Sequence, residues 1–149
     1  MRRSQRLNPV AELASMREQN AATEFGQARQ QLEADLTKLK ELQRYAMEYQ
    51  EMVEVQGREG ISAQRLLSYH QFVKRLLDAV QEQERQVELS QAAVENAEEA
   101  WMKQRGAEQN LQDLIGRIAK QEQKEQNRQE QRLQDELAQQ RPQVVFGGV

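Results

Sequence analysis

The 149-residue chain contains no cysteine, which excludes disulfides, thiolate nucleophiles and cysteine-bound zinc. Proline occurs only at Pro9 and Pro142, and glycine seven times, so long segments run without a helix breaker. Aromatic residues make up 5% and apolar residues 38% of the chain, too little bulk for a large closed core. No uncharged stretch approaches the ~20 apolar residues that span a bilayer. No apolar run follows Arg2 and Arg3 to form a signal peptide. Neither sign of charge predominates: the net charge is −3 and the pI near 5.4, so no global positive field favours nucleic acid. These absences suggest a soluble, cytoplasmic chain.

What is present favours helix. Glutamine supplies 26 residues and charged residues 30%, and mean hydropathy is −0.96. A chain rich in Gln, Glu, Leu, Ala and Arg points to long helices. Asn8 is a candidate cap and Pro9 fits a first helical position, where its missing N–H costs nothing. The one break before Pro142 is Gln56-Gly57-Arg58-Glu59-Gly60-Ile61, after which Ser62 suits a second cap. The expected elements are helix one over about 9–56, a loop at 57–61, helix two over about 62–140 and a flexible tail at 141–149, in a single coiled-coil domain.

Heptads run along both helices. Phe25, Leu32, Leu39, Ala46 and Val53 share an a row, and Ala14, Ala21, Ala28, Leu42 and Tyr49 a d row, with Asp35 as an exception. In helix two, Leu66, Val73, Val80, Val87, Val94, Trp101 and Ile115 share an a row broken by Glu108. Tyr69, Leu76, Ala97, Leu111 and Ile118 share a d row interrupted by Gln83, Ser90 and Gln104. Apolar spacing of 3.5 sustained this long is the pattern of a coiled coil. The short loop makes the helices antiparallel neighbours, with Leu42 near Leu76, Tyr49 near Tyr69 and Leu32 near Val87. Trp101, near the level of Met16, then fills the seam. The expected fold is therefore all-α, an antiparallel coiled-coil hairpin with a C-terminal helical overhang. Beyond about residue 110 helix two lacks a partner, so roughly 30 residues, ~45 Å, project alone. Leu111, Leu114, Ile115 and Ile118 then form a stripe that only an intermolecular contact or fraying accounts for.

The residues argue against an enzyme. There is no phosphate-binding glycine loop and no HExxH. His70 is the only histidine, which leaves no triad and no histidine-based metal site, and no cofactor is implied. Carboxylates such as Glu98 and Glu99 stand on a solvated face with no pocket to raise a pKa for acid catalysis. Acids interrupt the basic residues after Arg2, Arg3 and Arg6, which argues against nucleic acid. The balanced charge also argues against a membrane-surface helix.

The flanking g rows are less ordinary. They usually carry Glu, Lys or Gln, yet beside the loop they carry Tyr45, Phe72 and Ala79. With Leu42, Tyr49 and Leu76 these make a half-exposed apolar ridge, either a docking surface or a local widening of the seam.

The stretch Leu42-Gln43-Arg44-Tyr45-Ala46-Met47-Glu48-Tyr49, then Gly60-Ile61, then Tyr69-His70-Gln71-Phe72-Val73, resembles the FliJ family of flagellar export proteins, related to the YscO-type proteins of virulence type III secretion. The specific likeness covers about residues 38–83. It implies a coiled coil similar to the stalk subunit of rotary ATPases that inserts into the hexameric ring of the export ATPase (FliI type) and promotes its activity. The resemblance also implies contacts with the cytoplasmic domain of the export gate (FlhA type), the ATPase regulator (FliH type) and export chaperones. It places the chain at the cytoplasmic face of the inner membrane and makes it necessary for flagellum assembly and motility. The family's gate-binding patch carries over to Leu42, Tyr45, Tyr49, Phe72, Leu76 and Ala79. Two positions depart from the family pattern: Lys38, where a neutral polar residue can occur, and Gln83, where a histidine can. The resemblance implies an elongated monomer in isolation. A scaffold that self-associates through the overhang is the competing expectation, and a virulence-type stalk a variant of the first.

Overall fold

A computed structural model describes residues 2–140; the expected tail at 141–149 lies outside them. The described residues contain no strand, and the helices are α1 (Arg3–Arg6), α2 (Asn8–Glu59) and α3 (Ala63–Gln140). Among the described residues, contacts group 18–104 as one unit and 2–17 with 105–140 as another.

In the unit 18–104, α2 and α3 form an antiparallel coiled-coil hairpin. Every residue on the a and d rows is buried or half-buried, and nearly all others are exposed. The core is correspondingly thin: Ala21, Ala46, Val53, Val73 and Val87 are its buried apolar residues. Exposed ion pairs within a helix, such as Arg85–Glu82 at 2.8 Å, add little to stability.

The turn differs from expectation by three residues. α2 continues to Glu59 rather than 56, and Gly60 follows at φ +90°, the left-handed conformation that ends helices. Gly57 lies inside α2, so of the two glycines only Gly60 makes the turn. Ser62 caps α3, its Oγ accepting the Arg65 N–H at 3.2 Å.

Side chains across the seam sit between two residues of the facing helix. Tyr49 packs against both Tyr69 and Phe72, and Asp35 reaches both Gln83 and Ser90. Tyr69 is the neighbour of Tyr49 expected from the loop, and the second contact, with Phe72, is the pattern of knobs-into-holes packing. Trp101 packs on Phe25, with ring centroids 5.7 Å apart. The indole N–H donates to Glu18 Oε1 at 2.8 Å.

Three polar interruptions of the seam, Asp35, Gln83 and Ser90, satisfy one another. Gln83 and Ser90 are 5% and 7% exposed. The Ser90 hydroxyl donates to Asp35 Oδ2, Gln83 Nε2 to the Asp35 carbonyl at 2.9 Å and Gln31 Nε2 to Asp35 Oδ1 at 3.1 Å. The Ser90 hydrogen bond, then that of Gln31, holds the Asp35 carboxyl below its ordinary pKa.

The second unit corrects the expected start of helix one. Asn8 lies within α2, and a helical turn, Arg3–Arg6, precedes it. Leu7 N–H bonds to the Arg3 carbonyl at 3.3 Å and Ala11 N–H to the Leu7 carbonyl at 2.9 Å, so helical hydrogen bonding is present on both sides of Pro9. The reason is packing: Ser4 and Leu7 continue the heptad spacing and are half-buried. Glu122 of α3 accepts the Ser4 N–H at 3.0 Å and the Ser4 hydroxyl at 2.6 Å, and Arg2 bonds to Gln126. The Glu122 carboxylate thus caps the first helical turn from the opposite helix of the pair. These bonds, the Ser4 hydroxyl foremost, hold it below its usual pKa.

The overhang is shorter as a result. α3 is partnered as far as Gln126, and residues 127–140, all exposed, extend ~20 Å beyond, against the ~45 Å expected. Ile118 is buried and Leu111 and Ile115 half-buried, so the stripe thought to lack an intramolecular partner is largely covered by the N-terminal turns. Leu114 stays exposed.

Candidate functional site

The ridge beside the turn is built from both helices of the 18–104 unit. α2 supplies Leu42, Tyr45 and Tyr49, and α3 supplies Phe72, Leu76 and Ala79. Heptad position sets their exposure. Leu42, Tyr49 and Leu76 lie on the d rows and are half-buried, as is Ala79. The two g-row aromatics stand out, Tyr45 being 55% exposed and Phe72 40%.

Tyr49 ties the two helices together. Its ring centroid lies 4.5 Å from that of Phe72 at an interplanar angle of 47°, and 5.9 Å from that of Tyr69, edge-on at 72°. Phe72 therefore packs on Tyr49, one turn along α2 from Tyr45. Tyr45 lies with the Arg44 guanidinium carbon 5.6 Å from its ring centroid, and Arg44 in turn pairs with Glu48 at 3.8 Å. The two protruding rings are thus fixed differently, Phe72 by the seam and Tyr45 by its own helix.

Two further apolar residues escaped the sequence reading. Met52, 37% exposed, stands seven residues after Tyr45 on the same row, and Val55 is exposed beside it. Continuing the g row by one heptad would have found Met52. It carries the apolar face of α2 toward the turn.

The ridge offers no chemistry of its own. Its members are rings and aliphatic groups, and the nearby His70 is exposed. Among the described residues no group of three or more metal-ligating side chains is placed to hold an ion. Grooves elsewhere are shallow, such as that edged by Gly26, Arg29, Glu33 and Leu36. None of the described helices is long and apolar enough to cross a membrane. What this arrangement can do is bury area against another protein: aromatics held half out of water retain apolar surface for a partner to cover.

Comparison with known proteins follows the same line. Residues 3–144 match the family described as flagellar FliJ protein. Among solved structures, one described as a YscO homolog from Chlamydia trachomatis is similar, at 24% identity and a TM-score of 0.51. That likeness covers 89% of this chain and 91% of the other, and shows a shared fold. No curated protein matches the sequence.

Proposed function

The chain belongs to the flagellar FliJ protein family and so to the proteins of type III export, and from that premise we propose that it is a non-enzymatic coiled-coil stalk of the flagellar export apparatus. In this reading it acts in the cytoplasm, at the membrane-bound machinery. It promotes the export ATPase ring (FliI type), joins it to the export gate's cytoplasmic domain (FlhA type), and engages the ATPase regulator (FliH type) and export chaperones. ATP hydrolysis belongs to the partner. The ring contact falls where the first turns of the chain lie beside the distal part of α3. Loss of the protein then impairs flagellum assembly and motility.

The observation that carries the gate contact is the ridge. Tyr45 and Phe72 occupy flanking positions that ordinarily hold charged or amide side chains, and both remain exposed. Leu42, Tyr49, Leu76 and Ala79 form the floor on which they stand. A seam widened only for packing would bury these rings against each other; here Phe72 reaches Tyr49 and still presents 40% of its surface.

The test is binding of the purified chain to the cytoplasmic domain of the export gate, wild type against a Tyr45→Ala, Phe72→Ala double variant. Central aromatic anchors are each worth ~2 kcal/mol or more. The double variant should bind on the order of 1,000-fold more weakly while keeping its helicity. Undiminished binding would remove the ridge from the contact. Absence of binding by the wild type, with concentration-dependent self-association in sedimentation, would favour the scaffold instead.

A further inference from the structure

The d row of α2 places a carboxylate in the hydrophobic seam, and α3 meets it with an amide and a hydroxyl. Asp35 is half-buried and Gln83 and Ser90 are buried. The three are joined by the Ser90 hydroxyl to Asp35 Oδ2 and by Gln83 Nε2 to the Asp35 carbonyl at 2.9 Å. Among the described residues no buried side-chain polar atom lacks a hydrogen-bond partner. We propose that this Asp35–Gln83–Ser90 layer is a register lock, which selects one antiparallel alignment of α2 and α3 from the several that a repeating seam allows.

The need for such a device follows from the sequence. The a rows, which meet at Phe25 and Trp101, are otherwise aliphatic over much of their length, with Leu32, Leu39, Ala46 and Val53 on α2 and Val73, Val80, Val87 and Val94 on α3. Sliding one helix past the other by seven residues exchanges one aliphatic side chain for another in that stretch, so apolar packing there discriminates weakly between registers. The polar layer does discriminate. A slip in one direction leaves Ser90 among Ala21 and Ala28; in the other, Gln83 falls among Leu42 and Tyr49. Either way Asp35 loses one of its two partners, and a polar group is left in the seam without its hydrogen bond, which carries the full desolvation penalty. Two copies of α2 pairing in parallel, in register, would bring Asp35 against Asp35, so the same residue disfavours that association. The lock selects among alignments rather than supplying stability: a satisfied polar layer is generally no more stable than the apolar layer it replaces. This inference concerns the seam alone and holds whatever docks on the ridge.

Spin labels read the register directly, because the chain contains no cysteine and labels attach only where cysteines are introduced. Glu51 of α2 and Glu95 of α3 are both exposed and are staggered along the hairpin, so a one-heptad slip changes their separation by up to about 10 Å. In the otherwise wild-type chain, labels at Glu51→Cys and Glu95→Cys should give one narrow distance distribution by double electron–electron resonance. Adding Asp35→Leu, Gln83→Leu and Ser90→Ala should preserve helicity, leave the melting temperature unchanged or raised, and add a second distance component. Asp35→Asn, which keeps an acceptor for Ser90, should retain the single distribution. A single unchanged distribution in the folded triple variant would overturn the proposal, since the turn would then fix the alignment. Failure of that variant to fold would overturn it too, since the layer would then be a source of stability.

Discussion

Replacing Phe25 tests the observed alignment of the seam at its contact with Trp101. One face of the Phe25 ring meets Trp101 at 5.7 Å between centroids, tilted by 41°, and the Arg29 guanidinium carbon lies 5.5 Å from its centroid. Truncating a fully buried Phe to Ala costs ~3–5 kcal/mol. Phe25 is half-buried, so about half of that, ~2 kcal/mol, is expected. For a chain of this size each kcal/mol moves the midpoint by ~2–4 °C. Phe25→Ala should therefore lower the melting temperature by about 4–8 °C. Phe25→Leu keeps most of the apolar area and loses the two ring contacts, about 1 kcal/mol, so its fall should be about 2–4 °C. Trp101 is the sole tryptophan, and its emission reports the site without any label. In Phe25→Ala the emission should shift to the red as water reaches the exposed indole face. Met16→Ala, at the level first expected for Trp101 but 59% exposed, should change stability by no more than ~0.5 kcal/mol, about 1–2 °C in the midpoint, and leave the emission alone. A Phe25→Ala protein with unaltered midpoint and emission, or a Met16→Ala protein that shifts both, would refute the alignment.

The two glycines near the turn should respond with opposite signs. Gly60→Ala forces a Cβ into a positive-φ position and should cost ~1–2 kcal/mol, whereas Gly57→Ala, helical with open space about its Cα, should gain ~1 kcal/mol in a denaturant melt. Acid should release the first turns. The Glu122 pKa is depressed in the folded state, so its contribution is present above the ordinary carboxylate value and lost as pH falls through the lower folded value. Amide protection factors at Ser4 to Leu7, measured by NMR against the intrinsic exchange rate at each pH, should fall across that window and already be low at neutral pH in Glu122→Ala. Protection that is independent of pH would exclude the carboxylate cap.

The repeat was legible because burial on a helix pair is periodic, and a sustained 3.5-residue apolar spacing matches neither a strand nor a lone amphipathic helix. The break at Gly60 and the cap at Ser62 were legible for the same kind of reason: each residue type supplies a backbone conformation or an acceptor that a turn requires. The ends of the pairing were not, because local signals there compete with tertiary ones. Asn8 and Pro9 form a good helix start, and local signals alone stop there. Ser4 and Leu7 carry weaker information that matters only once Glu122 is opposite. The pairing of the seam was legible to the first neighbour: counting outward from the turn finds Tyr69 for Tyr49, whereas the second contact, with Phe72, follows only once knobs enter holes between two residues.

Asp35, Gln83 and Ser90 show where pattern reading and chemistry part company. As letters in a heptad each is an interruption, and three interruptions weaken the pattern of the seam. As donors and acceptors they complete one another, and only the alignment that brings them together leaves none unsatisfied. The ridge obeys the converse rule. Tyr45 and Phe72 are poor choices for a solvated flank, and nothing within the chain fully covers them. A helix pair whose interior joins Asp35, Gln83 and Ser90 into one matched set, and whose flank keeps aromatics half in water, divides its sequence between two tasks. The seam specifies one alignment, and that alignment sets rings from two helices side by side for a partner to bury.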